Sequence, residues 1–306
     1  CLQSMVTYMA SISKMQSAVQ KCNDKKTDAA QLDWDAAAAL YIGSVEGLLA
    51  GRQSDAGSLI YSLANDVCED FESCEASGEA QVNEKIIFQF AGGRDSIKDS
   101  QCDHVERTMT WEILPRMAIP LVQGVLAYAM DIEDESTRDS DSIAAAHILA
   151  KAVIPLVKKV NATSAATLAQ SFAVFATMAT GQPVDSSLEA FSYSLRGMGI
   201  DCEDVGTSVD YPDYSFCKGD DVVDGGSGGN GGNIAPLPDK ETNLGDGLYV
   251  TSTYVQDRAN MALDVKDMEE ALNEGSIELA KLLYGTGKHS EVYDEYGKFV
   301  SLRSLK

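Results

Sequence analysis

The sequence predicts an all-α protein, an antiparallel multi-helix bundle with disulfide-closed loops and a Gly-rich crossover segment. Three observations carry that expectation. Apolar residues recur at three-to-four spacing in one segment after another. Alanine-rich stretches are frequent while aromatic residues make up 7% of the chain, a balance that favours helices over sheets. No run alternates apolar and polar residues as a half-buried strand would.

The first helix reads from a stripe of Met5, Met9, Ile12, Met15 and Val19. A second follows in LDWDAAAALYIGSVEGLLAG, with Asp33 placed to cap its first turn, Asp35 to favour its dipole, Trp34 as a core anchor and Gly51 as its stop. Further helices are expected from Ala56 to about Glu72, from Glu79 to Phe90, and from Cys102 to Met130 with interruptions at Pro115 and Pro120. Beyond the acidic hinge Asp131 to Asp141, the pattern predicts helices over Ser142–Val160, Ser164–Thr180 and Ser186–Arg196. Ala118 to Val122 echoes Val153 to Val157 around an Ile-Pro-Leu-Val core, as a duplicated hairpin would.

This reading divides the chain into a bundle over 1–200, an acidic Cys- and Gly-rich connection over 201–247, and a helical segment over 248–306. The connection holds the run Gly225 to Gly232 and reads as a linker, or as a crossover packed against a neighbouring copy. The last segment is expected to form helices over Tyr249–Met268 and Met268–Leu283.

Forty-seven acids against 24 bases give a net charge of −23, which argues against nucleic acid and anionic membranes as partners and permits cation binding, with a solvated acidic surface as the plainer reading. The longest apolar run, Met117 to Met130, is broken by Pro120, Gln123 and Gly124, so no transmembrane segment is expected. The chain starts at Cys1 without Met or a charged-then-apolar leader. It is therefore read as following a removed signal or lying inside a longer polypeptide.

Seven cysteines and only three histidines fit disulfides in an oxidising compartment better than a zinc site. The four cysteines between 22 and 102 allow three pairings. Cys68–Cys74 is the local choice, which leaves Cys22–Cys102. Cys202–Cys217 would close the loop after the bundle, and Cys1 would pair with a preceding repeat or an adjacent subunit. Asn161-Ala162-Thr163 is a glycosylation sequon. No nucleophile elbow, phosphate loop, H-E-x-x-H or dinucleotide fingerprint is present, so no enzyme is expected.

Candidate chemistry is carboxylate chemistry. Glu69, Asp70, Glu72 and Glu75 are flanked by Cys68 and Cys74, and Glu69/Glu72 and Glu72/Glu75 share i,i+3 spacing on a helix. A Cys68–Cys74 bridge would turn the chain and converge these acids, although a solvated helix end closed by a disulfide accounts for them as well. Asp210, Tyr211, Asp213 and Tyr214 offer carboxylate with phenolate, a set suited to hard ferric iron; packed tyrosines are the plainer reading. Asp220, Asp221 and Asp224 depart from calcium-loop spacing. His104 and His147 are lone histidines with packing roles.

Several segments, in order, resemble the iron-assimilation family of green algae and diatoms, the low-iron-inducible or high-CO2-inducible periplasmic proteins. They are Asp33 to Ala38 continuing through Leu40 to Gly47, Gly57 to Ala64, Cys68 and Cys74, and Val82 to Lys85. Pro120 to Gly124 with Tyr128 and the second Ile-Pro-Leu-Val complete the set, which spans about Ser4 to Cys202. The stretch from Tyr254 to Gly285 is similar to a segment lying upstream of the Asp-Trp-Asp helix in that family. Its downstream place here suggests one period of a tandem array. The resemblance implies a secreted, non-enzymatic protein of the periplasmic space, cell wall or extracellular surface of an alga, associated with iron. The permuted order, the Gly run and the odd cysteine favour a rival role as the structural repeat subunit of a fibre, sheath or filament that assembles with its own copies.

Overall fold

The structure is a computed structural model that describes residues 2–43, 59–134, 137–173, 184–210, 212, 261–273, 275–286, 288–289, 292–293 and 299–300. It is all-α, with α1 (Leu2–Asn23), α2 (Thr27–Ile42), α3 (Ile60–Val67), α4 (Gln81–Lys98) and α5 (Cys102–Arg107). A π-helical turn, Thr108–Ile113, leads into α6 (Leu114–Glu133) and α7 (Ser140–Val160). Then come α8 (Ala162–Ser171), α9 (Val184–Ser192), a 3-10 turn at Arg196–Met198 and the short α10 (Cys202–Val205). Near the C-terminus lie α11 (Met261–Asn273), α12 (Ile277–Thr286) and a hairpin of two-residue strands. That hairpin pairs Val292 with Val300 and Tyr293 with Phe299; strands so short carry no alternation for a sequence to show.

The first two helices pack tightly because small residues line their seam. Ser4, Tyr8, Ser11, Met15, Ala18 and Cys22 are all buried, a 3.5-residue repeat that keeps one stripe facing α2. Opposite them lie Ala30, Ala37 and Ala38, and Ser11 Oγ donates to the Ala37 carbonyl at 2.9 Å. The stripe read from sequence is displaced: Met9 is 58% exposed.

The second helix starts at Thr27, not Asp33, and Lys26 makes no side-chain cap bond. From Asp33 to Ile42 every residue is buried, as expected of a helix enclosed on all sides. Asp33 is therefore an interior residue, only 4% exposed. Its carboxylate accepts hydrogen bonds from Lys14 Nζ at 3.1 Å, Ser17 Oγ at 2.5 Å and Lys21 Nζ. Asp35, read as a dipole partner, is fully buried as well. Trp34 does anchor the core: its Nε1 donates to the Phe90 carbonyl at 2.8 Å, and the two rings meet edge-on at 5.7 Å. Gly51 and the start of the helix expected at Ala56 lie outside the described residues.

The prolines of the long central helix do not interrupt it. Pro115 lacks an N–H, and its ring opposes the carbonyl four residues back. The widened π turn just before it absorbs that conflict: Leu114 N–H bonds to the Met109 carbonyl, and Trp111 on that turn is 68% exposed. Pro120 lies inside α6 and is buried. Helix continues from Cys102 to Glu133, the π turn included, and is long and apolar enough to cross a membrane by length and composition alone. It is the core helix here, with 72% of its most apolar window buried inside the protein. The sequence echo is not an echo in environment, since Pro120 is buried in α6 and Pro155 is exposed on α7.

Helix starts are capped where the chain turns sharply. Asp139 accepts from Ser142 N at 2.7 Å and Asn161 from Ser164 N at 3.0 Å. One apolar core runs from Tyr8 to Val205, while Ala271, Ala280 and Leu283 form a separate small core between α11 and α12. Two disulfides close as expected, Cys22–Cys102 and Cys68–Cys74. Cys202 is also disulfide-bonded; Cys217 and Cys1 lie outside the described residues.

Candidate functional site

The sequence offered two separate acidic candidates, and the fold brings parts of both together. The third helix ends at Val67, so Glu69, Asp70, Glu72 and Glu75 occupy a loop and not a helix face. Glu72 adopts a left-handed conformation with φ 49°. The Cys68–Cys74 disulfide holds this loop, and a bridge between Cys74 and Ala80 closes its base. Phe71, fully buried, plugs it into the core.

A second segment runs alongside. Thr207 N donates to the Phe71 carbonyl and Val209 N to the Asp70 carbonyl, each at 2.9 Å. Gln123, buried in α6, donates through Nε2 to Ser73 Oγ at 3.0 Å and to the Val205 carbonyl at 2.9 Å. These bonds fasten the end of the bundle to the Cys68–Cys74 loop and carry Asp210 towards Asp70. Tyr211, Asp213 and Tyr214 lie outside the described residues, as do Asp220, Asp221 and Asp224.

The carboxylates gathered here repel. Burial, then Asp210, Asp131 and Glu69, raise the proton affinity of Asp70. Burial, then Asp139, Asp210 and Asp134, do the same for Asp131 at the end of α6. Burial also raises Asp66 on α3. The Tyr128 phenol is pushed up by burial and then by Asp131 and Asp66. No Lys or Arg pairs with Asp70, Asp131 or Asp210 among the described residues. The donor types suit a hard cation. Their spacing does not form a closed chelate: among the described residues no three His, Cys, Asp or Glu side chains converge to hold one ion. Asp131 and Tyr128 were not among the sequence candidates; the acidic run after Tyr128 was their only local signal.

The remaining motif residues are structural. Tyr41 donates its hydroxyl to Asn83 Oδ1 at 2.5 Å, and Asn83 Nδ2 reaches the Tyr61 carbonyl and Asn65 Oδ1, both at 2.9 Å. This buried network ties α2, α3 and α4. Burial, then Tyr61 and Glu79, hold the Tyr41 phenol well above its ordinary range, so it stays neutral. His104 is exposed. His147 Nδ1 lies 2.6 Å from the Phe172 carbonyl.

No family model, curated protein or solved structure matches this chain.

Proposed function

We propose that this chain is a non-enzymatic binding protein of an oxidising, extracytoplasmic space whose acidic end gathers hard cations, ferric iron foremost. The observation that carries the reading is that Asp131 and Asp210 lie near enough to raise the proton affinity of Asp70, and Asp210 that of Asp131, while among the described residues no Lys or Arg is paired with any of the three carboxylates. Like charges held together favour any cation that relieves their repulsion. With no closed chelate in place, the first contact is electrostatic, and tight coordination requires these side chains to rotate inward. The two disulfides support the compartment, and the algal iron-assimilation resemblance supports the choice of iron. Equilibrium dialysis against ferric citrate and calcium, on the parent and a D70N/D131N/D210N variant, tests it. Saturable ferric uptake that the variant loses is the expected result. Equal uptake by both proteins, or none by either, refutes the assignment.

A second reading is favoured by one different feature. Leu272, Ile277, Leu279, Leu282 and Tyr284 on α11 and α12 are all exposed, beyond the few apolar side chains those helices bury against each other. A repeat subunit of a filament or sheath would cover these side chains with another copy. Electron microscopy and sedimentation at rising concentration discriminate: ordered assemblies favour this role, and a strict monomer removes it.

A further inference from the structure

The corner between α7 and α8 carries the Asn161-Ala162-Thr163 sequon, with Asn161 half-buried and the two residues after it exposed. Asn161 sits there in extended backbone, φ −145° and ψ 98°, between the exposed Val160 and the exposed Ala162 and Thr163. Its side chain caps α8, with Oδ1 accepting from Ser164 N at 3.0 Å. The cap requires an acceptor, so the amide oxygen must face the helix and Nδ2 must face the other way. Nδ2 has no hydrogen-bond partner among the described residues. The hydroxyl-bearing residue at the third sequon position, Thr163, is likewise open to solvent.

We infer that Asn161 carries an N-linked glycan, attached to Nδ2 from a polyprenyl-pyrophosphate-linked oligosaccharide. In that transfer the Nδ2–C1 bond forms as the anomeric C1–O bond to pyrophosphate breaks. The leaving pyrophosphate keeps the bonding electrons, and the amide proton passes to a base of the transferase. No oxidant or reductant is needed. The product keeps its amide carbonyl, so Oδ1 still caps α8, and modification and fold are compatible. Pro is absent at the middle position, where Ala162 stands. The glycan would project from the corner beside Val160 and the exposed Lys158 and Lys159. This inference does not depend on the cation reading.

The test is the intact mass of the full chain secreted through a eukaryotic endoplasmic reticulum, before and after peptide-N-glycosidase. The expected result is one oligosaccharide, removed by the enzyme, with the deamidation mark at position 161. Thr163→Ala leaves the cap residue in place and should abolish the glycan; Asn161→Asp should abolish it while preserving helix capping. Both variants, made without glycosylation, should melt with the parent, which separates loss of the glycan from loss of the fold. Secreted parent of unmodified mass, or a glycan that persists in Thr163→Ala, overturns the inference.

Discussion

Trp34 lies directly over Gly93: a Cβ on that glycine would fall 2.1 Å from the indole Cζ2 and 2.7 Å from Cε2. The indole cannot withdraw, because its Nε1 is bonded to the Phe90 carbonyl one turn earlier on the same helix. Gly93→Ala must therefore push α4 away from α2 or break that bond. Overpacking of this kind costs roughly 1–3 kcal/mol, and the thermal midpoint should fall by several degrees. Gly92, whose Cβ position meets nothing within 4 Å, is the control: Gly92→Ala should be neutral or slightly stabilising, since alanine is the better helix former. Equal midpoints for the two variants would refute the close packing of Trp34.

Helical periodicity made the bundle legible, and the two closed disulfides followed from counting and proximity along the chain. The second helix shows where local reading stops. Asp33-Trp34-Asp35 followed by four alanines looks like a helix start, yet the helix begins at Thr27. What keeps Asp33 inside is Lys14, Ser17 and Lys21 on the preceding helix, partners that only tertiary packing supplies. The acidic end fails for the same reason. Asp70 and Asp210 belong to stretches far apart in sequence, joined through backbone hydrogen bonds from Thr207 and Val209, and a backbone bond leaves no mark on side-chain chemistry.

Asp33 and Asp131 should respond to pH with opposite sign. Burial opposes ionisation of Asp33, but hydrogen bonds from Lys21, Ser17 and Lys14 outweigh it and set its pKa below the usual range. Its stabilisation is present above the ordinary carboxylate pKa of about 4 and is lost as pH falls. Asp131 is raised by burial and by Asp139, Asp210 and Asp134. Its protonated form is favoured in the fold, and its cost to stability grows as pH rises above that same value. Asp33→Asn should destabilise the protein by about 2 kcal/mol at pH 7, by nearly as much at pH 4, and by progressively less as pH falls below that. Asp131→Asn should raise the denaturation midpoint at pH 7, with the gain already fading at pH 4. Urea melts at pH 7, at pH 4 and at the lowest pH where the fold persists read the two windows; parallel shifts would contradict the electrostatic assignment.

The two disulfides should differ in what they contribute. Cys22 lies in the last turn of α1 and Cys102 opens α5, a sequence separation of 80, whereas Cys68 and Cys74 are separated by 6. The chain-entropy model gives about 4.5 kcal/mol for closing the longer loop and about 2 kcal/mol for the shorter. C22S/C102S should therefore lower the denaturant midpoint about twice as far as C68S/C74S. The smaller effect should be local, with exchange of the Ser73 and Gln81 amides accelerated, since Ser73 N bonds to the Cys68 carbonyl and Gln81 N to the Ser73 carbonyl. Equal global losses would argue that the short bridge holds more than its own loop.

Gly206 controls whether the two acidic segments stay together. Its backbone, φ 81° and ψ −170°, lies in a region open essentially to glycine alone. A Cβ there would stand 2.0 Å from the Phe71 carbonyl oxygen, which is main chain and the acceptor of the Thr207 N–H. The strained conformation alone costs about 1–3 kcal/mol, and the clash removes the partner that would hold the segment down. In Gly206→Ala the Thr207 and Val209 amides should exchange roughly five- to a hundredfold faster, since each 1.4 kcal/mol is a factor of ten. Amides in the Trp34–Phe90 region should be unchanged. Releasing Asp210 also relieves Asp70, so the Asp70 carboxyl should titrate closer to its ordinary value by NMR. Accelerated exchange with an unmoved Asp70 titration would show that the two segments touch through their backbones without sharing charge, and cation uptake would then have to be sought at Asp131 alone.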